Sequence, residues 1–214
     1  MTKITERGMI FNAEMVRAIL DGRKTQTRRI MENQPAGDGP DTPALIRNVD
    51  GGFQWYGHYG ESSIFNCPFG AVGDRLWVRE TFRLFDSSVE CSCEDHCSCS
   101  CYHGKPLYRA NGDDTECRWT PSIHIPRWAS RITLEITSVR VERLNDISQE
   151  DALAEGMELT GWEPTYSDPD SGGEVWTPYD NFAELWQSIY GVGSWLSNPW
   201  VWVIEFKRIE ERAA

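Results

Sequence analysis

Three stretches of the chain, residues 31–66, 83–118 and 158–178, are rich in turn-forming or cysteine residues, so the core must come from the segments between them. The first is rich in Gly, Pro and Asp, the second holds most of the cysteines, and the third is an acidic Pro/Gly/Ser loop. All three read as insertions. The frame that remains has roughly 120 residues, a usual size for one domain. The 214-residue chain is therefore expected to form a single domain, 1–214, that carries three loops.

Within the frame, Asn12 is a fitting N-cap for a helix in which Met15, Val16, Ile19 and Leu20 follow the i, i+3, i+4 pattern, and Gly22 is its left-handed stop. Residues 75–82 are strand-like in composition and follow a Gly73-Asp74 turn signal. Residues 131–143 read as a longer strand. Ile132, Leu134 and Ile136 share one face, whereas Val139 and Val141 have the opposite parity, which predicts a bulge or bend near Ser138. The last strand spans Trp200–Ile209 and alternates Trp202, Ile204 and Phe206 against Val203, Glu205 and Lys207. A short helix starts at Ser148 with a capping-box-like Ser-x-x-Asp and ends at Gly156. Phe182, Leu185, Trp186, Ile189 and Tyr190 form another amphipathic helix, stopped by Gly191. Few helices and widely separated strands predict an α+β fold with a small curved sheet or barrel.

Charge narrows the function classes. With 33 acidic against 21 basic residues, the net charge of −12 argues against nonspecific polyanion binding, which generally needs a basic face. A pocket for one nucleotide needs only a few local arginines. No apolar run approaches the length of a membrane span, and the first residues, MTKITERGMIF, are too polar for a signal peptide. A cytoplasmic protein without a membrane partner is expected.

Against this acidic background, Gly22-Arg23-Lys24-Thr25-Gln26-Thr27-Arg28-Arg29 concentrates a lysine, two hydroxyls and three arginines in eight residues. Thr27 can act as a nucleophile only if a neighbour takes its proton, and Lys24 can take it only if burial or another cation lowers its pKa. Arg23, Arg28 and Arg29 would disfavour the ammonium and also bind an anionic or carbonyl-rich substrate. The competing view is a helix end followed by a solvated basic strand, since cations near helix C-termini are ordinary dipole partners. Glu155 stands in the last turn of its helix, where a carboxylate is unfavourable by about 0.3–1 kcal/mol unless a cation offsets it. Lys24 or one of the neighbouring arginines would suit; otherwise Glu155 is a frayed, exposed glutamate. Residues three apart lie on opposite faces of a regular strand, so Lys24 and Thr27 can converge only if the chain is irregular directly after Gly22.

The insertions carry chemistry of their own. Asp50-Gly51-Gly52 can turn a hairpin bearing Phe53, Trp55, Tyr56 and Tyr59, aromatics that either stack a base or make a small local core. Five thiols, Cys91, Cys93, Cys97, Cys99 and Cys101, fall within eleven residues beside His96 and His103. In a cytosolic chain such a cluster favours structural zinc over disulfides, although Cys-x-Cys repeats are less common in zinc sites than Cys-x2-Cys pairs; an unmetallated or redox-active loop is the alternative. Glu80 can project toward the same site as Lys24 or pair with a neighbouring arginine, and His124 reads as a satisfied structural histidine.

The Gly22-Arg23-Lys24-Thr25-x-Thr27 motif after a helix, the Val72-Gly73-Asp74-Arg75-Leu76-Trp77-Val78 strand entry, the strand at 132–144, Ala154-Glu155-Gly156 and the closing Val203-Ile204-Glu205-Phe206 together resemble the ASCH domain family. The likeness covers the frame and none of the insertions. The Trp-rich C-terminal part and the 121–128 segment also look like the larger ASCH proteins encoded by bacteriophages and prophages. The resemblance implies a PUA-like β-barrel with flanking helices. It further implies an amidohydrolase that removes the acyl group from N4-acetylcytidine-type nucleosides with a Lys/Thr/Glu triad, here Lys24, Thr27 and Glu155, and no catalytic cofactor. Arg23, Arg28, Glu80, Trp55 and Tyr56 would then contact the substrate. Related domains bind RNA, and some are ribonucleases, so an RNA groove lined by Arg28, Arg29, Arg127 and Arg131 is the alternative; a noncatalytic phage recognition module is a third.

Overall fold

A computed structural model describes residues 4–36, 38–39, 41–87, 103–112, 118–157 and 177–209. Its strands are β1 (Glu6–Ile10), β2 (Gln26–Ile30), β3 (Leu45–Val49), β4 (Gly52–Gly57), β5 (Gly60–Glu61), β6 (Arg75–Arg79), β7 (Phe82–Leu84), β8 (Pro106–Tyr108), β9 (Thr133–Arg143) and β10 (Trp200–Ile209). Among the described residues three α-helices accompany them: α1 (Ala13–Leu20), α2 (Gln149–Ala154) and α3 (Pro178–Tyr190). The chain is thus α+β. Its main sheet has five strands in the order β1-β6-β9-β10-β2, antiparallel except for the parallel β1–β6 pair. Among the described residues this sheet is open, with β1 and β2 as its edges, and not the closed β-barrel that the family resemblance implies. Arg29 of β2 reaches toward the other edge, donating to the Ile10 carbonyl at 2.9 Å. Among the described residues no helix is long and apolar enough to cross a membrane.

The bulge forms where the parity of β9 changes. Glu205 pairs with Ser138 but Phe206 pairs with Ile136, so Thr137 is the extra residue. It lets Leu134 and Ile136 on one side of the bulge, and Val139 and Val141 on the other, face one core. β10 is more buried than an alternating edge strand. Trp202, Ile204 and Phe206 pack with α1 residues Val16 and Ile19, while Val201 and Val203 pack with Ala152 of α2 and Phe182 and Trp186 of α3. A central strand covered on both faces loses the polar alternation that an exposed face would keep.

The first insertion is part of this core rather than a loop beside it. Val49 pairs with Gly52 across Asp50 and Gly51, whose φ values of 41° and 83° match a two-residue hairpin turn with both central residues left-handed. The hairpin carries Phe53 and Trp55, whose rings lie 5.1 Å from Trp202 and 4.8 Å from Trp200. Within the second insertion β8 pairs with β7, which enters it at residues 83 and 84. Cys91, Cys93, Cys97, Cys99 and Cys101 lie outside the described residues, as do residues 158–176 of the third insertion.

Candidate active site

The segment after α1 is irregular, as convergence of its side chains requires. Asn12 Oδ1 accepts from the Met15 amide at 2.8 Å, and the helix ends on Gly22 at φ +76°. The amides of Arg23 and Lys24 then both donate to the Ala18 carbonyl, which curls the chain under the helix end. Lys24 forms an isolated antiparallel bridge with Glu155, and Thr25 N donates to Ala154 O before β2 begins at Gln26. The end of α2 is thereby stitched to the start of β2 by main-chain bonds.

This places Lys24 against Glu155 with both side chains withdrawn from solvent, 0% and 3% exposed. Lys24 Nζ donates to Glu155 Oε2 at 2.6 Å and to the Glu155 carbonyl at 2.9 Å. Arg28 Nη1 donates to the other carboxylate oxygen at 3.3 Å. The unfavourable position of a carboxylate at a helix C-terminus is offset by these two cations, and Glu155 is not a frayed surface residue. Burial drives the Lys24 pKa below its usual 10.5; Glu155 pulls it back, and Arg29 and Arg28 push it further down.

Thr27 is buried on the opposite face of β2 from Gln26 and Arg28. Its Oγ1 accepts from Arg29 Nη1 at 3.0 Å, and Arg29 is itself held by the carbonyls of Arg28 and Ile10 and lies over the Phe11 ring. The threonine hydroxyl proton has no acceptor among the described residues. Lys24 and Glu155 therefore meet directly, whereas Thr27 is joined to them through β2 rather than by a hydrogen bond to Lys24.

The expected substrate contacts are scattered. The Arg28 side chain is fully buried and ion-paired with Glu155, with Asp151 at 2.9 Å and with Glu142 at 3.2 Å, so its role is to hold carboxylates of the protein itself. Arg23 is exposed, donating to Asp21 and to the Gly156 carbonyl. Together with Arg17, Asn181 and Glu155 it lines a cavity of about 500 Å3 between α1, the end of α2 and α3. Glu80 is buried elsewhere, in a two-point pair with Arg131 at 3.0 and 2.9 Å, and not with its neighbour Arg79. Trp55 and Tyr56 belong to the hairpin: Trp55 packs on Trp200 and Phe65, and Tyr56 lies under Arg47. His124 is exposed in a 3-10 turn rather than buried as a structural histidine. No group of His, Cys, Asp and Glu poised to hold a metal ion occurs among the described residues.

Sequence reasoning missed Asp151, Glu142 and Arg140. Asp151 caps only half of a capping box: its amide donates to Ser148 Oγ, while its carboxylate faces Arg28 and Arg140. Arg140 also pairs with Glu142 on its own strand and with Glu205 on the neighbouring β10. The signal was present as a charged residue on every second position of the β9 end, Arg140 and Glu142, but its partner lay on another element. No protein-family model, no curated protein and no solved structure matches this chain.

Proposed function

We propose that this protein is an ASCH-type amidohydrolase of PUA-like ancestry that removes the acyl group from N4-acylated cytidine-type nucleosides, with Lys24, Thr27 and Glu155 as its triad. The observation that carries this is the buried Lys24, held by Glu155 and shifted by its burial toward the neutral form that a general base needs. The cavity against Glu155 is within the range of small-ligand sites, and polar residues Arg23, Asn12 and Asn181 are among its lining.

In this mechanism neutral Lys24 Nζ takes the proton of Thr27 Oγ1, which attacks the amide carbonyl to give a tetrahedral intermediate. Collapse expels the exocyclic amine of the cytosine, which receives that proton from Lys24, and leaves an acyl-threonine. Water then cleaves the ester, restoring Thr27 and releasing the carboxylic acid. Substrate binding must draw Lys24 Nζ from Glu155 toward Thr27, a tightening common at sites that are loose without ligand. Glu155 acts as a positioning residue for the lysine.

A small closed site is favoured over an RNA groove by where the arginines lie. Arg28 and Arg131 are engaged by buried carboxylates, Arg127 by Glu6, and Arg29 by two carbonyls. The test is hydrolysis of N4-acetylcytidine by the purified protein, followed by chromatography, beside Lys24→Ala, Thr27→Ala and Glu155→Ala. Release of cytidine by wild type and its loss in all three variants supports the reading. No turnover of acetylcytidine or bulkier acylcytidines rejects it, and salt-dependent RNA binding is then the next measurement.

A further inference from the structure

A second cavity, of about 610 Å3, lies between the end of β2, β10 and the hairpin, and shares no lining residue with the cavity at Glu155. The first is lined from α1, the end of α2 and α3, and this one from residues 30–36, the hairpin and Trp202. The rings of Trp55, Phe65, Phe69 and Trp202 form its walls. Trp55 and Phe65 are near-parallel at 30° and 5.6 Å, while Trp202 stands at 74° to Phe65. Two near-parallel rings and a third set across them thus border the cavity.

The rim is polar but nearly uncharged. Gln34 is already committed, donating to the Met31 and Trp200 carbonyls and accepting from Trp200 N, which pins residues 31–34 to β10. Ser62 likewise accepts from Trp55 N. Asn33 and Asn66, both exposed, also line the cavity, and their side-chain amides make no hydrogen bond with another described residue. Among the described residues Glu32 is the only ionisable side chain in the lining. A phosphate or carboxylate finds no cation among them, whereas the two amides are open to the polar edge of a ligand. An amide presents a donor and an acceptor side by side, the pattern found on the edge of a nitrogen heterocycle.

We propose that this cavity binds an uncharged planar heteroaromatic ring, the class to which nucleobases belong, stacked on the Trp55–Phe65 wall with its polar edge toward Asn33 and Asn66. The site goes beyond the hydrolase reading and does not depend on it. It reassigns Trp55 from the neighbourhood of Lys24 to a separate ligand.

The experiment is calorimetric titration of the full chain carrying Thr27→Ala with adenosine, and in parallel with cyclohexanol and tetramethylammonium. Expected are saturable adenosine binding, weak or no binding of the other two, and an affinity loss of at least about fivefold in Asn66→Ala or Asn33→Ala, the worth of one hydrogen bond. Ser63→Phe, at an exposed rim position, should block the cavity without changing the melting temperature. The proposal is overturned by absence of saturable binding, by binding indifferent to both asparagine substitutions and to Ser63→Phe, or by equal binding of cyclohexanol or tetramethylammonium. If Ser63→Phe fails to fold, the asparagine variants decide alone. Loss of acylcytidine hydrolysis in wild type would reject the catalytic reading and leave this titration unaffected.

Discussion

Lys24 donates twice to Glu155, to its carboxylate at 2.6 Å and to its main-chain carbonyl at 2.9 Å, while the two residues also form a β-bridge. One residue from the end of α1 and one from the end of α2 are thus locked at both side-chain and backbone level. Because the pair is buried, its net contribution to stability is small, whereas removing one partner strands the other charge in the interior.

Glu155→Ala leaves the Lys24 amine and one donor of the Arg28 guanidinium buried without their carboxylate. The expected loss is about 3–5 kcal/mol in urea unfolding, the usual range for breaking a buried pair from one side. A loss under about 1 kcal/mol would mean that Lys24 escapes to solvent and that the site is not rigid.

Lys24 gives a pH dependence of definite sign. Its folded pKa lies below 10.5, so the neutral base accumulates as pH rises, and kcat/KM should climb on a limb whose midpoint is under 10.5. For stability, the unfolded chain protonates this amine at higher pH than the folded one does. Folding therefore loses free energy as pH drops below 10.5, down to the lowered folded value. The difference in unfolding free energy between wild type and Lys24→Met should change by at most about 1.4 kcal/mol per pH unit in that window and be flat outside it. A difference that is flat between pH 7 and 10.5 would show that the ammonium persists in the fold.

Local patterns made much of this frame legible. The Asn12 cap, the Gly22 stop, the bulge in β9 and the bounds of β10 follow from residue spacing alone. What sequence could not supply was which separate elements meet. The 31–66 stretch looked like an insertion because Gly, Pro and Asp dominate it, yet its few aromatics are the ones that cover Trp200 and Trp202. Arg28 looked like a substrate contact because its charge is visible in sequence and its three carboxylate partners, 114 to 127 residues away, are not.

Two glycines separate backbone strain from crowding. Gly22 has φ +76° with nothing within 4 Å of a Cβ placed there, so Gly22→Ala should cost only the left-handed penalty, about 1–2 kcal/mol. At Gly156, φ is +95° and a Cβ would lie 2.9 Å from Ala18 Cβ and 3.1 Å from Lys24 Cβ. Gly156→Ala should therefore cost more than Gly22→Ala in thermal unfolding, and it should depress turnover because the lysine itself must move. Equal costs would place the Gly156 turn free of the lysine.

Arg28 ties the candidate site to the sheet through geometry that lysine cannot copy. Its guanidinium spans three carboxylates at once, Glu155 from Nη1 and both Asp151 and Glu142 from Nη2. An ammonium is a single point, so Arg28→Lys should leave at least one carboxylate without its donor and cost about 1.5–3 kcal/mol. Arg28→Met should cost about 3–5 kcal/mol, because no charge remains to face them. Asp151 reports on the same contact. Burial raises its carboxyl pKa, but Arg28 and then Arg140 more than offset this and bring it below 3.8. Its stabilisation is complete above 3.8 and disappears as pH falls through the lowered folded value. Removing Arg28 should move the Asp151 titration upward when followed by carboxyl carbon NMR. An unmoved titration would assign the contact to Arg140 and leave Arg28 to Glu155 alone.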